Sequence, residues 1–321
     1  MSQQSSTVLK GNESEHFHDD KDSDANPLCK PMTKELVWLI TGTSSGLGRR
    51  LVDSVIARGD KVIATARSLE KLDDLPKSDN LRILQLDVTD GPGIMKDKIN
   101  EALKLFGKID VLVNNAGISI KAISEEGTSA LYRQEYDTNV FGLLDVTHAV
   151  LPHMRERKSG TIVLIGSRSS WRARIAGLGL YASSKAAVHV IGEVLSVELA
   201  PFSIRVLIVE PAVFKTEGIF GIPLYEDNTI PDYEDLRKCI KDRLEHVDFP
   251  NDPRKGMDAV VDVVRGEGRA QGKKWPLYLP LGPEAEEGIR DKFEDMDGVL
   301  KDYHDLIHDT RFESDDQKHQ L

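Results

Sequence analysis

Cysteine is nearly absent from this chain. Its 321 residues include only Cys29 and Cys239, which form neither a disulfide framework nor a metal-ligand spacing. A reduced, cytoplasmic protein is the expectation. Positive charge is also in deficit, with 42 Lys and Arg against 53 Asp and Glu and a formal net charge of −11. Such a balance gives no electrostatic footprint for nucleic acid or an anionic membrane. No apolar run reaches the ~18 residues of a membrane-spanning helix. The opening residues 1–5 (MSQQS) are polar where a secretory signal needs an apolar core, so no signal peptide is expected. Residues 1–33 have almost no apolar content and read as a disordered polar tail. Within it, His16 and His18 read as solvated rather than metal-binding, and Met32 is noted as an alternative start.

What the chain does have is a regular alternation of short apolar runs and helical patterns. The runs lie at 35–40 (ELVWLI), 61–66 (KVIATA), 81–86, 110–113, 161–165, 204–209 and 277–281. Helical periodicity covers 49–58, 135–154, 181–199, 257–265 and 283–307. Strands that read as continuous apolar segments and alternate with helices predict βαβ units, with a parallel sheet covered on both faces. Between 214 and 255 the pattern breaks, with Pro223, Pro231, Pro250 and Pro253 among many acids. A segment of that length in a compact domain reads as a substrate lid. Residues 309–321 read as a frayed tail.

The first run feeds a glycine loop, Gly42-Thr43-Ser44-Ser45-Gly46-Leu47-Gly48, and then a helix. Strand, glycine loop and helix form the context of a phosphate-binding turn: glycines allow close backbone approach, and the helix N-terminus offers free N–H groups. At the end of the second run stands Ala66-Arg67, where a fold selecting NAD places a carboxylate for the ribose 2′-hydroxyl. An arginine there can instead clamp a 2′-phosphate, so NADP(H) is expected over NAD(H). Further on, Tyr181 and Lys185 stand four apart on a helical pattern and share one face. An ammonium beside a phenol stabilises the phenolate and suits the phenol to acid–base work.

Read together, TGTSSGLG at 41–48, Asp87-Val88, NNAG at 114–117, Asn139, the serines after the fifth run, YASSK at 181–185 and the turn at Pro211 resemble the short-chain dehydrogenase/reductase (SDR) family. The resemblance runs from about residue 34 to 285. It implies an α/β fold: a single Rossmann-type, doubly wound parallel sheet of about seven strands with helices on both faces, here over 34–308 with a lid at about 214–255. It also implies roles. Tyr181 would be the general acid or base, Lys185 would hold the nicotinamide ribose and lower the Tyr181 pKa, and Asn139 would order a proton-relay water. Asp87 would meet the adenine, and Asn114 and Gly117 would line the adenosine ribose and neighbouring backbone. Pro211 and Val213 would lie along the cofactor, together with the glycine loop. Two departures stand out: Pro211-Ala212 replaces the family's Pro-Gly, and Arg168 occupies the position usual for the catalytic serine. An insertion after Ser167 keeps the strand-to-serine register and makes Ser167 the expected catalytic serine, ahead of Ser169.

The resemblance implies an NADP(H)-dependent oxidoreductase interconverting a ketone and a secondary alcohol, with no resident metal and a homodimer or homotetramer as the expected assembly. The competing reading is an inactive NADP(H)-binding sensor or scaffold on the same fold. The Asn139, Tyr181 and Lys185 set favours an enzyme, since a binder needs no acid–base group. Arg168, Arg172 and Arg174, beside Trp171, are further candidates for attracting an anionic or polar aromatic substrate.

Overall fold

The structure is a computed structural model that describes residues 35–217 and 222–311. The expected tail at 1–33, four residues of the expected lid (218–221) and most of the expected C-terminal tail lie outside the described residues. Seven parallel strands form one sheet: β1 (Val37–Ile40), β2 (Lys61–Ala66), β3 (Leu81–Gln85), β4 (Val111–Asn114), β5 (Gly160–Ile165), β6 (Ile204–Pro211) and β7 (Tyr278–Leu281). Their order is β3-β2-β1-β4-β5-β6-β7. The helices are α1 (Gly46–Ala57), α2 (Pro92–Phe106), α3 (Ser129–Tyr136), α4 (Gly142–Arg157), α5 (Gly179–Leu199), α6 (Glu234–Glu245), α7 (Pro253–Arg265), α8 (Pro283–Asp302) and α9 (His304–His308). No helix among the described residues is long and apolar enough to cross a membrane.

The strands read as continuous apolar runs because both faces are covered, and alternate side chains feed two cores. On one face Leu39, Ile63, Leu112, Ile162 and Ile208 pack with Met95 and Ile99 of α2, Val146 and Val150 of α4 and Val188 of α5. On the other, Trp38, Ile40, Val62, Val113, Val163 and Val209 pack with Leu51 and Val55 of α1 and with Met257, Val260 and Val264 of α7. A buried carboxylate ties α7 to the first strand. Asp60 accepts from Leu36 N at 3.0 Å, Trp38 Nε1 at 2.9 Å and Arg265 Nη1 at 2.5 Å. Strand order reverses at β1 and β4, and a ligand crevice opens beyond the carboxyl ends of strands at such a point.

Two helices depart from expectation. α2 fills the stretch between the third and fourth runs, to which the sequence pattern assigns no element, and Pro92 opens it after Gly91, where its missing N–H costs nothing. α6 lies inside the irregular segment at 214–255, and it buries Arg237 and Ile240 on a polar background. The helix expected over 135–154 is broken. α3 and α4 are joined by one π-helical turn at Asp137–Phe141, which buries Asn139 and Val140. Such turns frequently mark functional sites.

Candidate active site

A cavity of about 710 Å³ runs along the carboxyl edge of the sheet. At one end, Gly42, Ser44, Ser45, Gly46 and Leu47 line it beside Ala66, Arg67, Lys71 and Asp87. Two glycines are fixed by close approach. A Cβ on Gly48 would stand 2.6 Å from the Gly42 carbonyl oxygen and 2.4 Å from Asn115 Nδ2. Gly42 has φ +69°, and a Cβ there would stand 2.8 Å from Ala116 Cα. The first turn of α1 already holds an anion supplied by the chain itself. The Glu217 carboxylate accepts from Gly46 N at 3.1 Å and from Arg50 Nη1 at 2.9 Å. Hydrogen bonds from Arg50 chiefly hold its pKa down to about 2. A carboxylate on the first N–H of a helix is a stand-in for a phosphate oxygen, so the loop and its helix fit an anionic group.

At the other end stand Ser167, Tyr181 and Lys185, with Pro211, Ala212 and Val213 along the wall. β5 delivers Ser167 to the sheet edge, where its hydroxyl stands beside the Tyr181 phenol and pulls the phenol's pKa down, and accepts from Ser169 N at 3.1 Å. Tyr181 and Lys185 rise from α5 one turn apart, with Nζ 5.8 Å from the ring centre. Lys185 Nζ donates to Ile165 O at 2.7 Å. Burial pushes Tyr181 up to about 12, against the pull of the Ser167 hydroxyl. The same burial pushes Lys185 down to about 8, against the nearby Glu135 carboxylate. In this arrangement burial dominates the tyrosine, and the lowering expected from Lys185 is not what sets its pKa.

Asn139 does not line the cavity. It is buried, and its amide spans a backbone gap: Oδ1 accepts from Ile118 N at 2.9 Å, and Nδ2 donates to Ile118 O at 3.0 Å. Nδ2 also lies 3.0 Å from Ser184 Oγ, which donates to Tyr181 O at 2.8 Å. Asn139 Oδ1 and Lys185 Nζ are nevertheless neighbours, lying 3.2 Å and 3.6 Å from the point where a Gly117 Cβ would sit.

Three expected cofactor contacts are also set back from the cavity. Thr43 is buried and donates to Thr65 O at 3.1 Å. Gly48 packs on Asn115, and Asn114 donates to Thr147 Oγ1 at 2.9 Å inside the core. It is Asn115, the next residue, that reaches the cavity, while its amide holds the Thr41 and Gly42 carbonyls at 2.8 and 2.9 Å. Ala212 accommodates the turn after β6 without a positive φ, its N–H donating to Leu281 O at 2.8 Å.

The arginine cluster divides. Arg168 lines the cavity, whereas Arg172 and Arg174 pair with Glu287 and Asp295 of α8 at 3.5 and 3.0 Å. Trp171 is half-buried, packs beside Tyr278, His189 and Phe293, and donates to Glu210 at 2.6 Å. Lys71 and Lys121 line the cavity without having been anticipated, while Thr216, Arg243 and Leu244 line it from the expected lid. Lys71 follows Arg67 by one turn of chain, a spacing that could have been read as a second cation at that end.

A glycine cradle at a strand-order reversal, with a Tyr–Lys pair at its far end whose lysine is buried, defines a nucleotide-dependent oxidoreductase of the Rossmann class. The comparisons narrow this. The family model for the short chain dehydrogenase matches residues 36–219. A solved short-chain dehydrogenase from Streptomyces avermitilis is similar at 35% identity and TM-score 0.77, covering 87% of this chain and 100% of that one. Oxidoreductase BOA17 of Botryotinia fuckeliana is 33% identical, over 80% of this chain and 91% of its own. The closed form of a serine dehydrogenase complexed with NADP+ is similar at 30% identity and TM-score 0.61, covering 78% of this chain and 95% of that one. The chain belongs to the short-chain dehydrogenase/reductase family and is an NAD(P)-dependent dehydrogenase/reductase.

Proposed function

We propose that the protein is an NADP(H)-dependent reductase of a small-molecule ketone, with Tyr181 as the general acid and the reverse oxidation open to the same groups. The observation that carries this reading is the Tyr181 phenol, which shares the cavity wall with Ser167 and has Lys185 one turn behind it. The nicotinamide, when bound, supplies the hydride. Hydride arrival at a carbonyl carbon leaves negative charge on oxygen, which needs a proton and preorganised donors. Tyr181 is placed to give that proton, and Ser167 to donate to the same oxygen. A phenol with its pKa near 12 keeps its proton at neutral pH, which is the form a reduction consumes. Lys185, held by Ile165 O, directs its positive charge at the phenolate that remains.

Arg67 and Lys71 support the choice of NADP(H): both cations line the end of the cavity beyond β2, where a 2′-phosphate would lie. The NADP+ of the similar serine dehydrogenase is consistent with that choice. Gly42, Ser44, Ser45, Gly46 and Leu47 would hold the pyrophosphate, Asp87 the adenine, Gly117 the adenosine ribose and neighbouring backbone, and Lys185, Pro211 and Val213 the nicotinamide half. Arg168, Ile175, Leu178, Ile222 and Leu244 would bound the substrate.

The test is NADPH consumption by the purified chain against a panel of ketones, with products identified by mass spectrometry and Tyr181→Phe as control. Turnover abolished in Tyr181→Phe, with NADPH binding kept, is the expected result. Binding without turnover on any ketone would leave the sensor reading in its place.

A further inference from the structure

α3 carries a carboxylate that the mechanism above does not use. Glu135 is fully buried, at 0% exposure. One oxygen, Oε1, accepts from Asn139 Nδ2 at 2.8 Å, and the other, Oε2, accepts from Ile120 N at 2.8 Å. Both donors are uncharged. The ionisable groups that face it come from two other elements: Lys185 and Tyr181 from α5, and Lys121 from the segment between β4 and α3. Lys121 is itself buried, with Nζ donating to Ile222 O at 2.6 Å. Burying an acid at this depth costs free energy unless its donors compensate, and perturbed acids concentrate where a protein uses them.

The geometry gives Glu135 a definite task. An amide can be turned over by rotation about its last bond, exchanging its nitrogen and oxygen. Ile118 presents a donor to Oδ1 and an acceptor to Nδ2 and so already selects one sense of the Asn139 amide, and Glu135 adds a second, buried hold on the same nitrogen. Glu135, when ionised, offers only acceptors, so it admits Nδ2 and rejects Oδ1. That choice directs Oδ1 toward Ile118 N and the space beside Gly117 that Lys185 Nζ shares. The π-helical turn carries Asn139 into the protein just after α3 ends, and so brings the amide onto the acid.

Building on the reductase reading, we propose that Glu135 is a positioning residue of the reaction. Its carboxylate tightens the hold that Ile118 has on the Asn139 amide beside Lys185 and Tyr181, and protonation of that carboxylate loosens it. Protonation places an O–H on one of two oxygens that both now face N–H donors, so one of the two hydrogen bonds must weaken. Burial raises the Glu135 pKa from 4.5 to about 7, with the hydrogen bond from Ile120, the charge of Lys185, the hydrogen bond from Asn139 and the charge of Lys121 opposing it. The switch therefore falls in the neutral range.

The experiment uses the full chain with saturating NADP+ and two readouts. The first follows the side-chain amide NMR signals of Asn139, assigned with Asn139→Asp, from about pH 5.5 to about 8.5 alongside the infrared band of protonated carboxyl groups. The Asn139 signals should titrate with a midpoint near neutrality, and the matching carboxyl band should vanish in Glu135→Gln. Lys121→Met should move both midpoints upward, because it removes a cation that favours the carboxylate, and it keeps the test open should Glu135→Gln fold poorly. The second readout is the kcat–pH profile for any ketone turned over. The wild-type acid limb should disappear in Glu135→Gln, with plateau kcat lower by up to about 10²-fold and NADPH affinity kept within about two-fold. Glu135→Asp, which keeps the charge, should keep a limb. Asn139 signals that stay flat, or an identical acid limb in wild type and Glu135→Gln, would overturn the proposal. Titrating Asn139 signals with no turnover would overturn the reductase reading and leave the Glu135–Asn139 linkage standing.

Discussion

Removing the charge of Glu210 should make the protein more stable, and most of all in alkaline solution. Glu210 ends the apolar part of β6 at 0% exposure. It accepts from Trp171 Nε1 at 2.6 Å and stands 3.2 Å from His189 Nε2. Burial raises its pKa from 4.5 to about 7, and the Trp171 hydrogen bond only partly opposes that. His189 gives no cationic partner near neutrality, because burial and Lys185 push it down to about 4. With a folded pKa above the unfolded one, the folded state holds the proton more tightly. Stability from this group is complete below about pH 4.5 and is lost as pH rises through about 7. Each pH unit of separation is about 1.4 kcal/mol, so keeping Glu210 ionised at pH 8 costs the fold about 3 kcal/mol.

Glu210→Gln keeps an acceptor for the indole and carries no charge. Urea denaturation of both proteins at about pH 5 and about pH 8 measures the difference; Glu135, which does not touch Glu210, contributes the same slope to each and cancels to first order. The variant should be close to wild type at the lower pH and about 3 kcal/mol more stable at the higher, a Tm gain of roughly 5 °C or more. A variant with no greater advantage at pH 8 than at pH 5 would show that Glu210 is not the strained acid its surroundings make it.

Other outcomes follow from the same structure. Ser167→Ala should lower kcat on the order of 10²–10³-fold, whereas Ser169→Ala, with its backbone N–H still on residue 167, should change it little; a loss confined to Ser169→Ala would refute the register. Arg67→Ala combined with Lys71→Ala should weaken NADPH binding and spare NADH, measured as two dissociation constants; an equal loss for both cofactors would refute the 2′-phosphate assignment. Gly48→Ala drives a Cβ against the Gly42 carbonyl and should cost about 1–3 kcal/mol of stability, seen as a lower Tm. Asp60→Ala leaves the Trp38 indole and the Leu36 amide without their acceptor and Arg265 with Glu267 alone, and should cost about 2–3 kcal/mol; a urea midpoint near that of wild type would refute the network.

The sheet was legible because a strand buried on both faces can hardly be anything but an apolar run, and each of the seven runs is a strand. The glycine loop and the Tyr181–Lys185 pair were legible because their spacings are local. What escaped was set by tertiary surroundings. Glu135 reads as a surface acid on an amphipathic helix until the Asn139 amide is seen against it. Asn114 and Asn115 are adjacent and chemically identical, and only the strand's end decides that one enters the core and the other the cavity. α2 hid behind Gly91-Pro92-Gly93, a turn signal that served as a helix start. α6 hid because prolines flank a helix with few buried apolar side chains. Arg172 and Arg174 were drawn from the cavity by acids of α8, more than a hundred residues away in sequence.

The packing of α7 bears on how the chain could be divided. A dissection at the end of the matched region, residues 36–219, would look natural from sequence. It would also remove Met257, Val260 and Val264, which seal the face of β1 and β2 beside α1, and Arg265, which neutralises Asp60. The nucleotide half would be left with an open apolar wall and an uncompensated interior acid. A piece that folds by itself should therefore reach at least through α7, and urea melts of the two lengths would check it.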